Sequence, residues 1–134
     1  MKTLIKVGII AISAVFISYN QTSQNSDLLT EINSARFKLG LSALQLDECL
    51  TKEAQNHCDK MFITKRLNHD GFQERINNCG KGKASENVAQ GQRTPKRCVR
   101  SWLNSPGHYK NMMGKWKVCG VGKTNNYWCA IFSK

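Results

Sequence analysis

Six cysteines in a chain of 134 residues, all lying beyond an apolar leader, constrain this sequence more than any other feature. The leader comes first: Lys2 and Lys6, then the run "VGIIAISAVFIS" over Val7–Ser18. A run that short behind positive charge has the form of an export signal rather than a membrane span. Cleavage is expected between Ser18 and Ser26, so residues 1–26 read as a signal peptide with a short tail and 27–134 as one domain. Cys49, Cys58, Cys79, Cys98, Cys119 and Cys129 then form an even set in a short exported chain, which predicts three disulfides. None of them forms the C-x-x-C pair that a thiolate metal site would use.

The hydrophobic pattern places several of these cysteines. "SDLLTEINSARFKLG" reads as a helix with Leu28, Ile32, Ala35 and Leu39 on one face, capped by Ser26 or Asp27 and ended by Gly40. "LDECLTKEAQNHCDKM" reads as a second, with Leu46, Leu50, Ala54, Cys58 and Met61 as its stripe. Residues 68–92 read as loop-rich; Thr94 then caps a third helix with Pro95 at its first position. "VCGVGKTNNYWCAIF" reads as two strands around a turn at Thr124–Asn126. That hairpin, with Val121 opposite Tyr127, puts Cys119 across from Cys129 and predicts a bridge between them. Cys49 and Cys58 cannot join, because nine helical residues separate them by about 13 Å. Two pairings remain, Cys49–Cys98 with Cys58–Cys79 or Cys49–Cys79 with Cys58–Cys98. The first is favoured, because the helix carrying Cys58 leads straight into the loop carrying Cys79.

Charge is the next bound. The whole chain carries a formal +11, and the excess is uneven: residues 27–58 hold three basic and five acidic side chains, residues 59–134 fifteen and four. Such a field favours anionic partners, a membrane surface or an acidic glycan, although it also serves plain solubility. No feature marks specific nucleic-acid recognition, and a monomer is expected.

The segment "SWLNSPGHYKNMM" ends a helix, breaks at Ser-Pro-Gly and restarts at His108. With it, the order "LLTEINSARFKLG", "EAQNHCDKM", "NHDGFQERI", "SENVAQG", "CGVG" and "YWCAIF" resembles the CAP superfamily, the SCP-domain group of cysteine-rich secretory proteins, insect venom antigens and plant pathogenesis-related proteins. The resemblance covers residues 28–134 and is closest to the short branch of the family. It implies an α+β fold, a three-layer α-β-α sandwich, with a central cavity lined by two histidines and two glutamates that can hold zinc or another divalent metal. Matched residue by residue, the cavity residues are His69, Glu86 and His108. The second glutamate is missing, and "WLNS" offers Ser105 in its region.

Read as chemistry, His69, Glu86 and His108 suit a zinc ion with one open position. They equally suit a buried His–Glu–His hydrogen-bond network that orders three loops. His57 reads as structural, and Trp102, Trp116 and Trp128 as packing. The resemblance implies a secreted, non-enzymatic binding module for a lipid or sterol, or for an anionic cell-surface component. The alternative is a metal-dependent hydrolase or peptidase, for which Ser105 near His108 is the one nucleophile candidate and the Pro-Gly between them an obstacle.

Overall fold

The computed structural model describes residues 23, 25 and 27–134. Apart from Ser23 and Asn25, the leader and the sequon at Asn20 lie outside the described residues. Helix α1 covers 27–37, and strand β1 (Gln45–Leu46) follows. Helices α2 (Glu48–Thr64) and α3 (Phe72–Asn78) precede β2 (Ala84–Gln90). Helices α4 (Pro95–Leu103) and α5 (Pro106–Met112) precede the hairpin β3 (Val118–Thr124) and β4 (Tyr127–Ser133). The sheet order is β1-β3-β4-β2, with β1 parallel to β3 and the other pairs antiparallel.

Strand β4 explains the layering. All seven of its residues are buried, as a central strand covered on both faces must be. Its side chains alternate between two cores. Trp128, Ala130 and Phe132 join Leu28 and Ile32 of α1, Val99 and Trp102 of α4 and Met112 of α5 on one face. Tyr127, Cys129 and Ile131 join Leu50, Ala54 and Met61 of α2 and Ile76 of α3 on the other. The molecule is therefore the α-β-α sandwich that the motifs imply.

Helix α2 is seated by the "CGVG" strand. A Cβ on Gly122 would fall 2.6 Å from the backbone of Ala54, and one on Gly120 would overlap the backbone of Leu50. Only glycine lets helix and strand backbones approach so closely. On the opposite layer, buried Arg36 of α1 donates through Nη1 to the carbonyls of Met112 (2.8 Å) and Gly114 (2.9 Å), satisfying orphan carbonyls where α5 ends.

The disulfide expectations need correcting. Cys49 bonds to Cys79 across Cα atoms 5.7 Å apart, whereas Cys58, Cys98, Cys119 and Cys129 are free and buried. Neither Cys49–Cys98 nor Cys58–Cys79 forms. The hairpin register rules out Cys119–Cys129 directly. Its turn is the two residues Asn125-Asn126, with Asn125 at φ +54°, so Thr124 pairs Tyr127 and Val121 pairs Ala130. Cys119 thus lies opposite Phe132 and faces the α1/α4 core, while Cys129 faces the α2/α3 core. Cys58 and Cys98 are likewise divided between the two cores.

Other differences are local. Leu46 belongs to β1 and not to the α2 stripe; it and Leu39 are about half exposed, at 49% and 52%. The stretch expected to be loop-rich holds α3 and β2, and "PGHYKNM" forms α5.

One prediction follows from the thiols. Burial pushes all four free thiols well above their ordinary pKa, so thiolate is scarce at neutral pH. The native protein is expected to resist iodoacetamide, and denaturation without reductant should release four alkylatable cysteines, with two more after reduction. A denatured, unreduced protein that takes up no label would restore the three-disulfide reading.

Candidate functional site

Glu86 is the centre of the site because three elements supply partners to one buried carboxylate. It sits on β2 with its side chain only 2% exposed. Arg75 of α3 reaches it in a fork: Nε donates to Oε2 at 3.0 Å, and Nη2 donates to Oε2 at 2.6 Å and Oε1 at 2.8 Å. Such a two-point guanidinium–carboxylate contact is the geometry that makes a buried charge tolerable. The remaining nitrogen of the fork, Nη1, donates to the carbonyl of Asp70 at 2.6 Å.

His69, in the loop between α2 and α3, adds Nδ1 to Glu86 Oε1 at 2.8 Å. A carboxylate accepts only, so Nδ1 carries the proton and Nε2 is left facing outward on a half-exposed ring. Buried His57 of α2 lies beneath, with Nε2 donating to the carbonyl of Asn68 at 2.8 Å and 3.9 Å from Glu86 Oε1. Burial, then the neighbouring Arg75 and His69, hold its pKa below the usual histidine value, against the opposing pull of Asn68 and Glu86.

His108 enters from the other side of the strand, in the first turn of α5 behind Pro106. Its backbone carbonyl accepts from the side chain of buried Asn87 at 2.9 Å, and Asn111 donates to Asn87 Oδ1 at 3.0 Å and to the Glu86 carbonyl at 3.2 Å. Its ring is half-buried. Burial, and after it the nearby His69, lower its pKa. The structure therefore joins His69 to Glu86 by a direct bond and places His108 within electrostatic reach of His69. Ser105 is the N-cap of α5.

Sequence reasoning missed Arg75, Asn87 and Asn111. A signal for Arg75 did exist: Glu86 is a carboxylate within an apolar strand, and a buried carboxylate requires a cation or donors.

The profile of the cysteine-rich secretory protein family, CAP, matches residues 29–130. The chain belongs to the CAP family. It is 33% identical over 110 residues to the uncharacterized Bacillus subtilis protein YkwD, covering 75% of this chain and 43% of YkwD. It thus spans less than half the length of that relative. Among solved structures it resembles an extracellular SCP-domain protein of Bacillus anthracis, with TM-score 0.80 and 22% identity over 85% of this chain and 41% of the other. It also resembles an outer surface protein of Borrelia burgdorferi, with TM-score 0.72 and 28% identity over 80% of this chain and 89% of that one.

Whether these CAP residues suit zinc is decided by the carboxylate. A zinc site built from protein takes three or four ligands. Both oxygens of Glu86 are already filled by Arg75 and His69, and among the described residues no group of three His, Cys, Asp or Glu side chains is arranged to hold a metal ion. Glu86 does not fit as a ligand. It fits as the group that fixes the His69 tautomer, and Arg75 supplies the positive charge it balances.

Two outcomes test this arrangement. Arg75→Met strands a buried carboxylate and should cost about 3–5 kcal/mol, while Arg75→Met with Glu86→Leu should recover much of it. Urea denaturation measures both; equal losses would mean that the pair is not coupled. The second outcome concerns acid. His57 resists protonation when folded, so the unfolded chain binds more protons below about pH 6.5. Its stabilising contribution is complete above that pH and is lost as pH falls towards 5. The urea midpoint should fall further between pH 7.5 and 5 in the parent than in His57→Gln.

Proposed function

We propose that this CAP domain is a non-enzymatic binding module acting outside the cell, and that its ligand is an anionic amphiphile such as a fatty acid. The observation that carries the reading is a groove of ≈ 340 Å³ between α1 and α4. Leu39, Val99, Leu103 and Tyr109 give it apolar walls, and Lys38, Lys96 and Arg100 stand among its lining residues. Leu39 and Leu103 remain exposed at 52% and 38%, and with Val99 and Tyr109 they line a single groove instead of lying scattered. Small-molecule sites are typically apolar clefts of roughly 300–1,000 Å³ with a few placed polar groups, which is the composition here. A carboxylate at the rim with its hydrocarbon between the helices satisfies both halves of that lining.

Site chemistry supports binding over catalysis. Both oxygens of Glu86 are occupied by Arg75 and His69, which leaves neither open to a substrate, and Ser105 is separated from His108 by Pro106 and Gly107. Action outside the cell is supported by the extracellular Bacillus anthracis neighbour and the outer-surface Borrelia burgdorferi neighbour, by the Cys49–Cys79 disulfide and by the leader. Among the described residues no helix is long and apolar enough to cross a membrane.

Titration with a fluorescent fatty acid tests the reading. Saturable one-to-one binding is expected, weakened about tenfold or more by Leu103→Glu, which places a charge in the apolar wall. Lys38→Ala with Arg100→Ala should weaken the free acid while leaving its methyl ester unchanged. Equal binding by the parent and Leu103→Glu would sink the groove as the site.

A further inference from the structure

We propose that the face built by α5, the loop after it and the two chain segments beside it is a docking surface for anionic phospholipid membranes. The central observation is a second cleft, of ≈ 560 Å³, floored by Met113 and Trp116 and bordered by Lys83, Lys110, Lys115 and Lys134. No acidic residue lines it. The four lysines come from four separate places: before β2, within α5, after α5 and after β4. Folding therefore gathers into one site charges that are dispersed in sequence. Lysine stems beside half-buried apolar side chains, with the ammonium groups outward, are the side-chain chemistry of a headgroup interface.

The opposite layer carries no such excess: residues 47–82 hold six basic and six acidic side chains. The cleft of ≈ 330 Å³ against α2 and α3 mixes the signs, with Glu53, Asp59, Asp70 and Glu74 beside Lys60 and Arg75. The two clefts on the α1/α4/α5 layer together present seven basic residues and one acid, Glu31. The basic excess thus lies on one layer of the sandwich, and an anionic plane would attract the α4/α5 layer more strongly than the α2/α3 layer. Such a molecule is oriented before it makes contact.

Tyr109 links this surface to the groove between α1 and α4, since it lines both. It is 38% exposed, and a phenol carries an apolar ring with a polar tip suited to the boundary of a bilayer. A membrane held on the lysine cleft would lie beside the mouth of the apolar groove. Docking itself stands apart from the fatty-acid reading: a protein that docks and takes up no fatty acid would overturn only the groove.

The experiment is vesicle co-sedimentation of the full chain, with phosphatidylcholine alone or with a third phosphatidylglycerol. Binding is expected only with phosphatidylglycerol, and should fall steeply between low and high salt. Each lysine at an anionic surface strengthens binding by about fivefold, so Lys110→Glu with Lys115→Glu should weaken it at least tenfold. Lys52→Glu with Lys60→Glu, on α2, makes the same change in net charge and should stay within about threefold of the parent. All variants share the same N-terminal residues, so the difference isolates the face. Quenching by brominated lipid gives an independent readout. Trp102 and Trp128 are fully buried, so quenching of the parent should vanish in Trp116→Phe. Equal loss in the two charge-reversed pairs would reduce the effect to net charge and overturn the proposal. So would binding to soluble polyanions such as heparin without binding to vesicles.

Discussion

The placement of α2 against β3 fixes more of this molecule than any other contact, and it depends on two missing side chains. With no Cβ at Gly120 and Gly122, the α2 backbone at Leu50 and Ala54 comes down onto the strand itself. Gln55 then reaches the hairpin: Nε2 donates to the Lys123 carbonyl at 3.0 Å, and Oε1 accepts from the Lys123 amide at 3.1 Å. Asp59, one turn on, accepts from the hydroxyl of Thr124. The turn between β3 and β4 is therefore stitched to α2, which locks the register that separates Cys119 from Cys129. At the other end of α2, Asp47 caps the helix through Leu50 and pairs with Lys81 at 2.7 Å. The same end brings Cys49 to Cys79. Closing that loop of about 30 residues stabilises the fold by roughly 3–4 kcal/mol in the chain-entropy view.

The height of α2 above the sheet also sets the depth of the polar cluster. His57 lies on the buried face of α2, so a helix pressed close to the sheet carries an imidazole to within 3.9 Å of Glu86. A carboxylate at that depth is unfavourable without a counter-charge, and Arg75 provides one at the cost of desolvating its own guanidinium. The pair is also a joint between elements. It ties β2 to α3, fixes the loop carrying His69 and leaves one outward-facing imidazole nitrogen.

Legibility in the sequence followed the length and regularity of the apolar pattern. The 17 residues of α2 and the Thr94–Pro95 start of α4 were readable because stripe and cap agreed. Helices α3 and α5, of seven residues each, carry too few apolar positions for a period to show. Strand β2 escaped notice because its "SEN" faces serve the site rather than the core. The cysteines misled for a related reason: an even count favours pairing, but strand alternation divides Cys119 from Cys129, and register depends on a turn of two residues that could also be read as longer. In the site, His69 and Glu86 were legible through their motifs, whereas Arg75, Asn87 and Asn111 act through contacts distant in sequence. The basic excess was visible as a count. Its sorting to one layer was not, because Lys83 and Lys134 join Lys110 only after β2 and β4 pair.

The histidine corner gains a second meaning from this arrangement. Asn87, buried on β2 beside Glu86, grips the carbonyl of His108, and Asn111 closes the same bracket one helical turn later. Both contacts hold the backbone of α5 rather than the imidazole. The residue between them that benefits is Tyr109, whose ring stands where the apolar groove meets the lysine cleft. Arg36 secures the far end of α5 through Met112 and Gly114, so this short helix is clamped at both termini by buried side chains. Seven residues would not hold a helix unaided, since short helices are marginal without tertiary support. The polar cluster and the two clefts thus form one mechanical unit: the network under the sheet fixes β2, β2 fixes α5, and α5 presents the surface to which ligands of either cleft would come.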